Sequence, residues 1–319
     1  MAIEIWSVPG VGEINAGDDL ATLIAEHVGD TLRNGDVVVV TSKIVSKAAG
    51  LSTTMDRTAL IDNQTDRVVA TRGETKIVRT YHGLTLAAAG IDASNAEPGR
   101  VLWLPDDPDA DARAIRHGLR DALDVNVAVV ITDTAGRAWR IGQTDIAIGC
   151  AGIVPVESFA GAVDSYGNPL VVTAPAIADE IAGAAELAAG KLDGTPIAIV
   201  RGLRDVWFSV DDGPGAAALI REENADMFGL GAKDAVLTAA QRRPDVRGFP
   251  EAEPDAWQRL LVSAQVGIEP SLATAARTGS RIRVTAHLEN RSSWLAAGAL
   301  AARLKFLAIG LGLDATIEV

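Results

Sequence analysis

Between Ile131 and Ile148 the chain reads ITDTAGRAWRIGQTDIAI, a stretch that packs two carboxylates, two arginines, three threonines and two glycines directly after an apolar run. Hard divalent cations are held by carboxylate and hydroxyl oxygens, and Asp133 and Thr134 offer both on adjacent residues. Gly136 permits close backbone approach. Arg137 and Arg140 can each make charge-assisted bonds to phosphate or carboxylate oxygens. The chemistry that fits is an anionic ligand handled together with a metal ion. The plainer reading is a turn in which Asp133 caps a helix and both arginines are solvated.

Three other segments carry matching chemistry. An apolar strand candidate at 84–88 runs through Gly90 to Asp92, Ser94 and Asn95, so Asp92 is placed to share a cation with Asp133 across neighbouring strand ends; alone, the same residues make an ordinary Asx-turn. After the run VVVVT at 37–41 come Ser42, Lys43 and Lys47. The two lysines are one helical turn apart and can face one ligand, and Ser42 opens that turn, where amides and a hydroxyl can bind phosphate. The glycine-bearing loop Val11, Gly12, Glu13 and Ile14 has backbone amides suited to a nucleotide. No Gly-x-x-x-x-Gly-Lys-Ser/Thr occurs, and no Gly-x-Gly-x-x-Gly follows a strand, so nucleotide binding here is not of the P-loop or dinucleotide type. His82, Asp164 and Tyr166 are weaker candidates for the same cleft. Cys150, in an apolar stretch, reads as a buried inert thiol.

These residues need a scaffold of mixed α and β elements. Hydrophobic patterning predicts strands at 37–41, 67–70, 75–80, 84–88, 101–104, 127–132, 170–173 and 197–200, and helices at 18–28, 109–123, 176–189 and 215–220, with Asp109 or Asp111 capping the second. A Pro- and charge-rich stretch at 241–254 reads as a linker, which sets domains at 1–240 and 241–319. Beyond it come a helix at 255–266, a strand at 280–287 and an Ala/Leu helix at 294–309, too little chain for a robust separate core and therefore an appendage.

Composition narrows the class. With 319 residues the chain can bury a substantial core. Its net charge of −13 disfavours nucleic acid as a main partner, because phosphate backbones need a basic surface. A single cysteine excludes an intrachain disulfide framework or a Cys-based metal site. Neither a signal peptide nor a membrane span is predicted, which leads to the expectation of a cytoplasmic protein.

The segments TSKIVSK at 41–47, AAGIDASN at 88–95 and TDT at 132–134, the last followed by GRAWR and GQTD at 136–145, resemble in order and spacing the signatures of the coenzyme F420-0:L-glutamate ligase family over roughly residues 4–235. The resemblance implies an α+β, mixed-sheet fold of the F420-0:gamma-glutamyl ligase type with a short C-terminal α/β appendage. It implies a homodimer that joins L-glutamate to the phospholactate carboxylate of coenzyme F420-0, using GTP, Mn2+ or Mg2+ and an optional monovalent cation, with γ-linked additions to follow. Position by position, Asp92, Asp133 and Thr134 resemble metal ligands. Val11, Gly12, Glu13, Ile14, Ser42, Lys47 and Asn95 resemble guanine-nucleotide contacts, and Lys47, Arg137 and Arg140 are the expected catalytic cations. The C-terminal segment at 296–312 resembles a fragment of a flavin-binding nitroreductase-like module that some relatives carry. Two alternatives stay open: an amide ligase of the same fold with another carboxylate acceptor, and a non-catalytic nucleotide-binding paralogue.

Overall fold

The structure, a computed structural model, describes residues 2–94, 96–190, 193–222, 225–241 and 252–319. The chain divides into two compact units, Met1–Arg221 and Glu222–Val319. The break therefore falls ahead of the linker at 241–254, of which 242–251 lie outside the described residues.

The first unit runs β1 (Glu4–Ser7), α1 (Leu20–Val28), β2 (Val37–Thr41), α2 (Ser42–Ala48), β3 (Ser52–Thr53), α3 (Arg57–Asn63), β4 (Thr65–Arg72), β5 (Thr75–Thr80), β6 (Thr85–Ala87), β7 (Val101–Leu102), α4 (Pro108–Leu123), β8 (Ala128–Gly136), β9 (Gln143–Ala151), α5 (Ile177–Ala189) and β10 (Ile197–Arg201). Its main sheet has the order β1-β10-β2-β8-β9. β2 and β8 run parallel, and the other neighbours are antiparallel. The valines of β2 explain its central place. Val38 and Val40 pack on one face with Ile24 of α1, Leu119 of α4 and Ile131, while Val37 and Val39 pack on the other with Ile177 and Ile181 of α5. A strand covered on both faces has no polar alternation to show. Each such side chain contributes about 1.5–3 kcal/mol on burial, so the sheet end that β2 presents is rigidly placed.

Two smaller sheets complete this unit: the antiparallel meander β4-β5-β6 and the ribbon β3-β7. Some elements depart from the sequence reading. α4 is capped by Asp107, whose side chain accepts from the Ala110 amide, because Pro108 is best accommodated in the first turn and so moves the boundary upstream. Asp109, freed from capping, accepts the Cys150 and Ala216 amides instead. The stretch 170–173 is no strand; Val171 and Val172 are solvent-exposed, with no sheet to cover them. The helix expected at 215–220 is a short 3-10 turn, Ala216–Leu219. The strand from Val127 does not stop at Thr132. It continues to Gly136 because β9 pairs with it throughout, so Asp133 and Thr134 sit on a strand and not in a loop after one.

The second unit contains α6 (Ala232–Ala240), α7 (Ala256–Gln265), β11 (Ala273–Thr278), β12 (Arg281–Ala286), α8 (Arg291–Gly310) and β13 (Thr316–Glu318), with the sheet order β11-β12-β13. It has an apolar cluster of its own, centred on Leu260, Ile282, Leu300 and Leu304, where the sequence reading expected too little chain for one. Among the described residues α8 alone is long and apolar enough to cross a membrane by length and composition. Its Leu300 and Leu304 are fully buried in that cluster, while Trp294, Leu295 and Phe306 are exposed.

Candidate functional site

The parallel pairing of β2 and β8 sets Thr41 beside Thr132, so the residues that follow, Ser42 and Asp133, emerge at the same end of the sheet, where open α/β sheets bind ligands. The Ser42 hydroxyl donates to Asp133 Oδ1 at 3.2 Å. Along β8, Thr132 and Thr134 share a side, and Thr134 stands directly opposite Asp145 on β9. Both threonine hydroxyls donate to Asp145, Thr132 to Oδ2 and Thr134 to Oδ1, each at 2.8 Å. Asp145 thereby takes up both protons and leaves the threonine oxygens to act as acceptors.

Asp92 arrives from a different sheet. After β6 the chain makes a turn at Ala88–Gly90 in which Ala88, Ala89 and Gly90 have φ of 52°, 55° and 71°. A non-glycine residue in this left-handed region costs roughly 1–2 kcal/mol. Surrounding packing holds the turn: Ala89 is buried, and a Cβ on Gly90 would lie 2.8 Å from Leu104. Beyond it, Asp92 bridges Leu102 of β7. Its carboxylate meets the Lys43 ammonium at 2.6 Å and the Ser94 hydroxyl at 2.8 Å.

Asp92, Asp133, Thr134 and Asp145 line one cleft of about 1290 Å³, together with Gly12, Glu13, Ile14, Lys43 and Lys47. Its electrostatics are uneven. Burial pushes the Asp133 carboxyl up to about 6 against the pull of the Ser42 and Thr134 hydrogen bonds, and the charges of Asp145 and Asp92 add to the push. Burial would also raise Asp92, but its hydrogen bonds to Lys43 and Ser94 and the Lys43 charge hold it below the usual carboxylate range. A buried carboxylate repelled by two others is a site short of positive charge. Carboxylate and hydroxyl oxygens are the donors that Mg2+ and Mn2+ prefer, so the donor types of Asp92, Asp133 and Thr134 would suit such an ion. The protein alone does not make a full cage: among the described residues no three His, Cys, Asp or Glu side chains group as a metal site.

The other expected residues fall into groups. Lys47 lines the cleft and pairs with Glu13 at 2.5 Å. Ser42 is buried behind the lining, and Val11 packs into the core of the unit. Arg137 and Arg140 are exposed on the turn between β8 and β9, outside the cleft lining. Asn95 lies outside the described residues. His82, Asp164 and Tyr166 do not line the cleft, and Asp164 is tied up within its own turn by Tyr166 and Asn168. Burial pushes the Cys150 thiol up to about 12, with the charges of Asp109 and Asp179 adding to it, so the group is inert. Among the cleft residues that the sequence reading did not assign to the site are Asp145, Glu186, Arg57 and Arg100. Only Asp145 had a signal, as the acid closing the GQTD segment on the strand that faces Asp133.

The family profile of F420-0:Gamma-glutamyl ligase matches residues 10–202, all within the first unit. The chain is 37% identical over 247 residues to the coenzyme F420:L-glutamate ligase of Methanopyrus kandleri, covering 71% of this chain and 97% of that protein. It is 37% identical over 252 residues to that of Methanothermobacter thermautotrophicus, covering 72% and 99% respectively. With the protein of the same name from Haloarcula marismortui it shares 36% identity over 251 residues, 70% of this chain and 95% of that one. The profile match spans the segments around Ser42, Asp92 and Asp133, nearly the whole length of these relatives is matched, and the chain belongs to the F420-0:gamma-glutamyl ligase family.

Proposed function

We propose that this chain is a GTP-dependent ligase that joins L-glutamate to the phospholactate carboxylate of coenzyme F420-0, with γ-linked glutamate additions to follow. The observation that carries the reading is the meeting of Asp92 and Asp133, from separate sheets, in a cleft that Lys43 and Lys47 also line. Family membership supports the choice of acceptor and amino acid.

An unactivated carboxylate cannot expel oxide when an amine attacks it. The acceptor carboxylate oxygen therefore attacks the γ-phosphorus of GTP, the bond to the β-phosphate oxygen breaks, and GDP leaves an acyl phosphate. The glutamate amine then attacks the acyl carbon, the carbon–oxygen bond breaks, and inorganic phosphate and one proton are released. A divalent ion supplies neutralisation of the phosphate charge when bound. Asp92, Asp133 and Thr134 are the residues to hold it, and Asp145 keeps the Thr134 oxygen in acceptor orientation. Ser42 fixes the Asp133 carboxylate. Lys47 supplies fixed positive charge beside the loop Val11–Ile14, to which, with Ser42 and Asn95, we assign the guanine nucleotide. Arg137 and Arg140, on the exposed hairpin turn, are assigned to anionic groups of the coenzyme outside the cleft.

The reading places catalysis in the first unit, within the expected 1–240, treats the chain beyond it, including 241–319, as descended from a nitroreductase-like module, and takes the working form as a cytoplasmic homodimer. The test is incubation with GTP, Mn2+ or Mg2+, L-glutamate and glutamate-free coenzyme, read by mass spectrometry. One added glutamyl unit with one GDP formed per unit is expected. No glutamylated coenzyme, with GTP and metal both bound, would refute it.

A further inference from the structure

Among the described residues, four basic side chains line the cleft: Lys43, Lys47, Arg57 and Arg100. The lysines are committed to carboxylates, Lys43 to Asp92 and Lys47 to Glu13. Arg57 and Arg100 make no ion pair among the described residues, although they share the cleft wall with acids. They are held all the same. Arg100 donates from Nε at 3.1 Å and Nη2 at 2.6 Å to the Ser52 hydroxyl, and from Nη2 at 3.0 Å to the Ser52 carbonyl. Arg57 donates from Nη2 to the Ile91 carbonyl at 3.3 Å. These bonds use one edge of each guanidinium. Nη1 of both, and Nε of Arg57, have no protein acceptor among the described residues.

Their location follows from the ribbon. Ser52 pairs with Leu102 in β3-β7, Leu102 bridges Asp92, and Ile91 directly precedes Asp92. Both guanidiniums are thus anchored to the backbone that positions Asp92. In a cleft whose described lysines already sit against carboxylates and whose other acids include Glu97, Asp133 and Asp145, two oriented guanidiniums offer a landing for an anion, and their planar forks match a carboxylate. The amine that attacks the activated acceptor must come close to the metal-side wall, and in a dicarboxylic α-amino acid its carboxylates travel with it.

We propose that Arg57 and Arg100 form the subsite for a carboxylate of the incoming L-glutamate, holding its amine beside the wall that carries Asp92. The assignment rests on the ligase reading above. On this assignment the cleft is expected to take an acidic amino acid in preference to its neutral amide.

The test uses the full-length protein carrying Arg57→Ala or Arg100→Lys, the latter chosen because Arg100 also braces Ser52. Initial rates are measured while L-glutamate, GTP and glutamate-free coenzyme are varied in turn, and with L-glutamine replacing L-glutamate. The expected result is a KM for L-glutamate raised at least about tenfold in each variant, with the GTP and coenzyme values within about twofold. The kcat/KM preference for L-glutamate over L-glutamine falls by the same factor. A purely structural role would lower kcat or the melting temperature and leave that preference intact, which would overturn the proposal. A raised KM for the coenzyme instead would give the two arginines to its phosphodiester and also overturn it. If the unsubstituted protein makes no glutamylated product, the ligase reading falls and the subsite with it. If it makes product while both variants keep its glutamate KM and selectivity, the subsite alone falls.

Discussion

Replacing Asp133 by Asn tests the charge economy of the cleft without reference to turnover. Asp133 has an ordinary value of 3.8 and is pushed up to about 6 by burial and by the neighbouring acids. Its folded value lies above its unfolded one, so the fold carries no cost from this group below about pH 4. The cost grows between about pH 4 and 6 and is complete above that. At about 1.4 kcal/mol per pH unit it reaches roughly 3 kcal/mol at pH 8, and water in the cleft makes that a ceiling. Asn keeps an oxygen to accept from Ser42 and removes the charge. In a unit of this size about 1 kcal/mol moves Tm by roughly 2–4 °C. Asp133→Asn in metal-free buffer should therefore melt up to roughly 6–12 °C above the parent at pH 8, with the gap closing by about pH 4. Circular dichroism melts in chelator across that range provide the assay. Added Mg2+ or Mn2+ should raise the parent and not the variant, because the ion supplies the missing countercharge. A variant that melts at or below the parent at pH 8, or a gap that does not change with pH, would refute the reasoning.

Two further substitutions probe the same geometry. Asp145→Asn can accept from only one of the Thr132 and Thr134 hydroxyls, so Mn2+ affinity, read by electron paramagnetic resonance of the free ion, should fall by about 10–100-fold with little loss of stability; unchanged affinity would remove Asp145 from the metal environment. Gly90→Ala puts a Cβ against Leu104 in a left-handed turn and should cost about 1–3 kcal/mol in urea unfolding while displacing Asp92, so cation binding weakens along with the fold. A variant of full stability and full Mn2+ affinity would show that the turn does not position Asp92.

Part of this protein is written in local chemistry. The buried valines of β2, the helices α1, α4 and α5 and the acids Asp92 and Asp133 stand out because burial, periodicity and residue type are local properties of a chain. The C-terminal core was harder to see because the unit begins at Glu222, upstream of the compositional break at 241–254 that the sequence advertises. The extent of β8 depended on a partner strand, since Asp133 and Thr134 read as a polar loop until β9 pairs with them.

Sequence alone determined which residue types were present to hold a cation and an anion, and that three separated segments carried them. Tertiary structure decided their relations: the parallel register of β2 and β8 that sets Ser42 against Asp133, the strained turn that delivers Asp92 to Lys43, and the pairing that turns Asp145 onto two threonines. It also placed Arg137 and Arg140 outside the cleft and brought Arg57 and Arg100 to its wall. The physical reason is that a side chain's type is fixed by its own residue, whereas its charge state, exposure and partners are fixed by chain segments distant in sequence that only folding brings near.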